Sequence, residues 1–524
     1  MLRRYFIILS VIILGLIAII APFKHDALWW LVPAGPLVAL GIYDCFSNHN
    51  VLRNYPVLGH LRYIMELIRP EMQQYFVESD LSGRPFSREQ RSIVYQRAKM
   101  VRDTIPFGTR HNINAPNYEF SQHSIMAGHI ADDDMRIIIG NAQCSKPYNA
   151  SRLNISAMSF GAISARAIVA LNRGAKFGNF AHNTGEGGLT PHHLQEGGDL
   201  IWQIGTAYFG TRTTDGKFCP ELFAEKSQHA HVKMIEIKIS QGAKPGHGGV
   251  LPQKKITPEI AAIRGIPMDR DCISPPSHSA FSTPLEMMRF IQQLRELSGG
   301  KPIGFKLCIG IKREFMSICK AMLQTGIYPD FITIDGAEGG TGAAPVEFSN
   351  RLGTPLHEAL AFVNNCLVGT NLRQHIRLIA SAKVVGGFDI AMKIALGADA
   401  CNMARPMMFA LGCIQALRCD SDECPTGIAT TNLNRSKALV VKDKARRVCN
   451  FHAATIKSFK EFSEAMGAHH PSDIKPQMIS YRINEADSIT FAELFHFLQP
   501  GSLLTAKAPD PYRKDWEAAS AEKF

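Results

Sequence analysis

Between residues 135 and 404 one pattern recurs: a short run rich in Ile, Val and Phe, then a longer stretch with helical spacing. The candidate strands are 153–158, 178–183, 234–240, 271–274, 303–308, 331–335, 377–381 and 400–404, preceded by one more at 136–141. Near-continuous apolar strands alternating with helices call for parallel pairing with both sheet faces covered. Eight such units close into a (β/α)8 TIM barrel, an α/β fold. The connection 184–233 is long and is expected to carry structure of its own. The pattern divides the chain into a polar, helical linking arm at 49–134, a barrel at 135–440 and a helical C-terminal appendage at 441–524.

The first 48 residues differ in kind. Residues 5–23 carry no charge, and nineteen residues of helix span roughly 28 Å, close to the hydrocarbon thickness of a bilayer. A secretory signal has a shorter apolar region and a small-residue cleavage site. A second uncharged run, 27–43, begins near Trp29 and Trp30, which suit a headgroup interface, while Pro33 and Pro36 weaken its helix. The run is expected to span, with an interfacial or re-entrant segment as the alternative. Arg3 and Arg4 precede the first run, and Arg53, Arg62 and Arg69 follow the second. The positive-inside rule then predicts a hairpin in the cell inner membrane with the catalytic body on the cytoplasmic side.

Composition excludes several classes. Hydrophobic content of 46% and charged content of 20% rule out wholesale disorder. The net charge of +11 is scattered, without the basic stripe interleaved with aromatics that a nucleic-acid binder needs, so no nucleic acid is expected as a partner. The cytosol keeps thiols reduced, so clustered cysteines among the twelve point to metal more than to disulfides.

In a barrel of this kind functional residues gather where strands end. There the chain places SAMSFG (156–161), NTGEGG (183–188), KISQGAKPGHGG (238–249), Lys306, DGAEGGTGA (335–343), and Lys383 with Gly386 and Gly387. Glycine-rich turns let backbone N–H groups approach an anion, and barrels often hold phosphate near strands seven and eight. Cys413, Cys419 and Cys424 follow as C-x5-C-x4-C with Pro425 behind them. Three close soft thiolates suit an iron–sulfur cluster, and three ligands without a near fourth suit a three-iron cluster. Unrelated loop cysteines, or zinc with a distant fourth ligand, are the alternatives.

Six ordered segments resemble the FMN-binding, iron–sulfur domain of glutamate synthase: 158–161, 183–188, 241–246, 273–276, 339–343 and 412–429. The N-terminal hairpin and arm resemble a bacterial membrane-bound branch of that family. The resemblance implies FMN across the C-terminal mouth of the barrel, contacted by Met158, Ser159, Asn183, Gln241 and Lys306. Gly339, Gly340, Gly342, Gly386 and Gly387 would cradle its phosphate, with Lys383 beside them. Cys413, Cys419 and Cys424 would hold a 3Fe-4S cluster.

The implied reaction is reductive amination of 2-oxoglutarate to L-glutamate. Glu186 would serve as the acidic group, and Lys244 and Arg264 would hold the oxoacid carboxylates. Ammonium or another amine, and an external electron donor such as ferredoxin or a reductase subunit, would complete the set of partners. No glutaminase region and no nucleotide-binding G-x-G-x-x-G in strand–turn–helix context is read in the chain. Two residues depart from the family pattern. Val250 stands where a glutamine contacts the oxoacid, and His247 where a glutamate stands. An altered substrate is therefore an expectation as well: N-methylglutamate synthase-like amine transfer, or a membrane electron-transfer subunit without synthase activity.

Overall fold

The computed structural model describes residues 2–102, 104–505 and 508–524. Two compact units are present, Met1–Arg88 and Glu89–Phe524.

In the first unit, helices Leu2–Ile20 and Leu31–Phe46 are joined by a turn and the 3-10 segment His25–Trp30. Gly41 lies so close to the Phe6 ring that a Cβ there would overlap it, which lets the two helices approach. Leu2–Ile20 and His25–Phe46 are long and apolar enough to cross a membrane. Asp44, fully buried, accepts from Val57 N–H at 2.8 Å and lies 2.9 Å from His60 Nε2, tying the end of this pair to the turn beyond it. Helix Gly59–Met72 follows, with Leu61, Ile64, Met65, Ile68 and Met72 exposed along one face.

The second unit is an α/β barrel of eight parallel strands, closed. In chain order these are β1 (Leu153–Ile155), β2 (His182–Asn183), β3 (Leu200–Ile204), β4 (Val232–Lys238), β5 (Ile303–Leu307), β6 (Phe331–Asp335), β7 (Arg377–Ser381) and β8 (Ala400–Met403). Each pairs with its sequence neighbours, and β8 pairs with β1. Helices follow the strands with ordinary local signals. Ser164 caps Ala165–Gly178 by accepting from Ala167 N–H, and Asn179 ends it in the left-handed conformation. Thr283 and Glu286 form a reciprocal cap on Pro284–Leu297.

Two expected strands take other roles. Residues 271–274 are not part of the barrel. Cys272–Ile273 pairs antiparallel with Val250–Leu251 in a two-stranded ribbon beside the mouth, and Ile273 is exposed. The barrel place belongs to Leu200–Ile204, inside the long 184–233 connection, all five residues of which are buried. The run at 136–141 forms Arg136–Ile139, which pairs with Tyr148–Ser151. Ile139, Tyr148 and Ala150 of this hairpin close the barrel floor with Ala181, Ile201, Met234, Phe331, Ile379 and Ala400.

Helix Val441–Ala465 lies between the helices that follow β7 and β1, where the eighth outer helix belongs. Glycine makes both contacts possible. A Cβ on Gly174 would meet Ala445 O at 2.8 Å, and one on Gly387 would meet Phe459 N at 2.5 Å.

Candidate active site and cofactor loops

Glu186 sits in the turn after β2, and the Lys238 ammonium at the end of β4 donates to its Oε1 at 2.7 Å. Gly205 and Gly249 flank this carboxylate so tightly that a Cβ on either would meet an Oε atom at 2.9 and 2.5 Å. Burial alone would raise the Glu186 carboxyl, but Lys238, then Lys244 and Arg264, outweigh it and hold the group below its ordinary range. Lys244 is 3% exposed and donates to the Ala343 carbonyl at 2.9 Å. Burial lowers its ammonium to about 8, against the pull of Glu186. Arg264, at the end of helix Pro258–Arg264, donates to Phe160 O at 2.8 Å and lies over the Phe209 ring at 5.0 Å. Its Nε is buried and has no partner among the described residues.

Below this cluster, Glu236 is fully buried. Its carboxylate accepts from Asn183 Nδ2 at 2.8 Å, Gln203 Nε2 at 2.6 Å and Thr333 Oγ1 at 2.6 Å. Asn183 also accepts from Gly185 N–H at 3.0 Å, which shapes the Glu186 turn. That turn runs against the loop after β1: a Cβ on Gly185 would stand 2.6 Å from Ser159 N and 2.8 Å from Met158 C. Lys306 on β5 pairs with Asp335 at 3.4 Å, and Asp335 Oδ2 accepts from Gly242 N–H at 2.8 Å, next to Gln241. Met158, Ser159, Asn183, Gln241 and Lys306 therefore lie on adjoining loops and strand ends of one rim.

The phosphate turns are less uniform. A Cβ on Gly386 would meet nothing within 4 Å, and one on Gly342 only Cys419 O at 3.9 Å, so both leave room for a ligand. Gly340 faces the Arg405 guanidinium, and Gly339 lies against Gly336 O. Lys383 is exposed with φ of +43°. The space that a side chain at Gly387 would occupy is filled by the backbone of helix Val441–Ala465, so packing also requires glycine there. Asp389 Oδ2 already accepts the N–H groups of Val385 and Gly386 at 2.8 and 2.9 Å.

The three cysteines lie on the segment after helix Arg405–Leu411. Each sulfur has a polar neighbour. Gln415 N–H points to Cys413 Sγ at 3.5 Å, the Arg405 guanidinium to Cys419 Sγ at 3.6 Å, and Thr426 Oγ1 lies 3.3 Å from Cys424 Sγ. Burial raises the Cys413 thiol to about 11, and Cys419 and Cys424 are both within electrostatic reach of it. Among the described residues no three metal-ligating side chains converge on one point. A cluster of several irons takes its thiolates on separate metals, so its ligands need not converge as those of a single ion do. A soft donor set with N–H groups near the sulfurs fits that chemistry.

Sequence reasoning took Lys238 only as the start of a rim segment, without a role, and passed over Glu236 and Arg405. Glu236 and Lys238 carried a signal: charges two residues apart in the run MIEIK share one face of a strand, and residues 234–238 are all buried.

Residues 108–469 match the conserved region in glutamate synthase. The glutamate synthase large subunit-like protein YerD of Bacillus subtilis is 36% identical over 490 residues, covering 86% of this chain and 93% of its own length. The archaeal-type glutamate synthase [NADPH] of Thermotoga neapolitana is 35% identical over 314 residues, 60% of this chain and 58% of that protein. Among solved structures, the flavin-binding domain of baker's yeast flavocytochrome b2 aligns at a TM-score of 0.41 and 13% identity, over 81% of this chain and 86% of that one.

Proposed function

This chain belongs to the glutamate synthase family, and from that premise we propose that it is a flavin- and iron–sulfur-dependent oxidoreductase that reductively aminates 2-oxoglutarate to L-glutamate. The observation that carries the reading is the charge set at the mouth. Lys238, Lys244 and Arg264 surround the single carboxylate of Glu186. Three cations around one anion leave an excess of two positive charges in a largely buried site, the complement of a dicarboxylate. The unpartnered Nε of Arg264 is a donor for one such carboxylate.

The residues fit the cofactors that the family implies. Met158, Ser159, Asn183, Gln241 and Lys306 would border FMN, Gly339, Gly340, Gly342 and Gly386 would leave room for its phosphate, and Cys413, Cys419 and Cys424 would ligate a 3Fe-4S cluster. Bound FMN supplies hydride chemistry at this mouth, and the cluster supplies electrons singly. Lys244 and Arg264 orient the oxoacid through its carboxylates. Glu186, held ionised by Lys238, is placed to attract the incoming amine and to stabilise the positive charge of the iminium that forms at the oxoacid C2. The Glu186–Lys238 pair and the close approach of the glycines at 205 and 249 fix the position of that carboxylate.

An external donor such as ferredoxin or a reductase subunit completes the electron path. The N-terminal helices would anchor the enzyme in the cell inner membrane with its catalytic unit on the cytoplasmic side, supported by their apolar composition and the arginines flanking them. The exposed apolar face of Gly59–Met72 suits the same interface.

One observation favours a second reading. Val250, half-buried on the ribbon opposite Ile273, cannot hydrogen-bond a carboxylate through its side chain, and His247 Nδ1 donates to the neighbouring Gly248 O at 2.8 Å. An amine larger than ammonium, as in an N-methylglutamate synthase, suits an apolar wall. Detergent-purified protein with its flavin reduced anaerobically separates the cases. Reoxidation that needs 2-oxoglutarate and ammonium together is the expected result. Preference for methylamine selects the second reading, and no reoxidation with either, in protein carrying both cofactors, overturns synthase chemistry.

A further inference from the structure

Two cations, one buried and one half-buried, tie the cysteine segment to the rim. Lys255, at the end of the 3-10 turn Gln253–Lys255, is 2% exposed. Its Nζ donates to the carbonyls of Cys419 at 3.1 Å, Ala162 at 3.2 Å and Ala429 at 3.2 Å. Three carbonyl acceptors match the three N–H groups of an ammonium. Arg405 donates to Cys419 Sγ at 3.6 Å and to the Thr341 carbonyl at 2.5 Å. Ala162 closes the loop after β1, and Thr341 lies in the glycine loop after β6. Neither cation takes part in an ion pair among the described residues, and the charged groups within reach of Lys255 are Asp422, Cys419, Cys424 and Asp420.

A buried lysine without a carboxylate partner is costly unless something anionic compensates it. Here Asp422 and Asp420 of the cysteine segment lie within reach, and its thiolates add anionic charge beside Lys255 once they hold metal. A fixed positive charge beside a group that gains an electron stabilises the reduced state and raises its potential. We propose that Lys255 and Arg405 are positioning residues of the iron–sulfur centre: their charges set its reduction potential while their hydrogen bonds hold it against the β1 and β6 loops. The inference rests on the iron–sulfur reading given above.

The test uses the full-length protein in detergent, with iron and sulfide content measured first and the cluster then titrated by EPR against potential. Lys255→Met and Arg405→Met should each weaken cluster reduction about tenfold, a potential lower by about 59 mV for one electron. Lys255→Arg and Arg405→Lys should stay close to wild type, and the flavin should shift less than the cluster in every variant. Wild-type protein without iron would remove the iron–sulfur reading itself. A wild-type cluster whose potential is unmoved by both methionine variants would overturn the tuning role alone. Should a methionine variant lose its cluster, retention in the charge-conserving partner supports the role of charge, and loss in both variants at that residue overturns it.

Discussion

Lys244 and Glu186 divide the work of one buried site by their surroundings. Burial lowers the Lys244 ammonium to about 8, so the cation is present below that pH and lost above it. If Lys244 holds an oxoacid carboxylate, kcat/KM for the oxoacid, which reports the free enzyme, should fall up to tenfold per pH unit above about 8. Lys244→Arg should move that break to higher pH, since a guanidinium does not titrate there. A profile flat across that point would remove Lys244 from substrate binding. The residues that matter here were visible in the chain to unequal degrees. Glu186 and Lys244 stand in segments that a family resemblance picks out, and Arg264 is carried over from it as a single position outside them. Lys238 opens a rim segment and shares a strand face with Glu236, but its role appears only once its Nζ is found 2.7 Å from Glu186, 52 positions away.

At the scale of elements, the helix after β7 and the long helix Val441–Ala465 meet with almost no space between them at Gly387. A methyl group there would sit 2.5 Å from Phe459 N, and backbone cannot step aside as a flexible side chain can. Gly387→Ala is expected to destabilise the catalytic unit by about 1–3 kcal/mol through overpacking. A lowered midpoint in thermal or denaturant unfolding would register it; an unchanged midpoint would mean the helices separate more easily than their packing implies. The same element sets two neighbouring glycines apart. Two glycines beside a candidate phosphate turn read alike in sequence, yet Gly386 opens to free space and Gly387 to a neighbouring helix.

For the molecule as a whole, the apolar helices belong to a unit of their own, Met1–Arg88. Removing residues 1–48 should release a coloured protein into the soluble fraction, assayed by flavin absorbance after centrifugation. Protein still held in membranes would point to a second attachment, for which the exposed apolar face of Gly59–Met72 is the first place to look. Alternation of apolar strands with helical stretches was enough to determine an eight-stranded parallel barrel, because local periodicity decides which segments can be strands and which helices. Membership of the barrel was another matter. Leu200–Ile204 and Cys272–Ile273 are both short apolar runs, and only their hydrogen-bonding partners, parallel on both sides for the first and one antiparallel strand for the second, separate barrel from ribbon. Motifs along the chain could name the rim loops and the three cysteines. Which lysine neutralises Glu186, and which cations border Cys419, depended on side chains brought together from distant strands and turns. Such long-range contacts leave no local period in the sequence, so tertiary structure alone decides them.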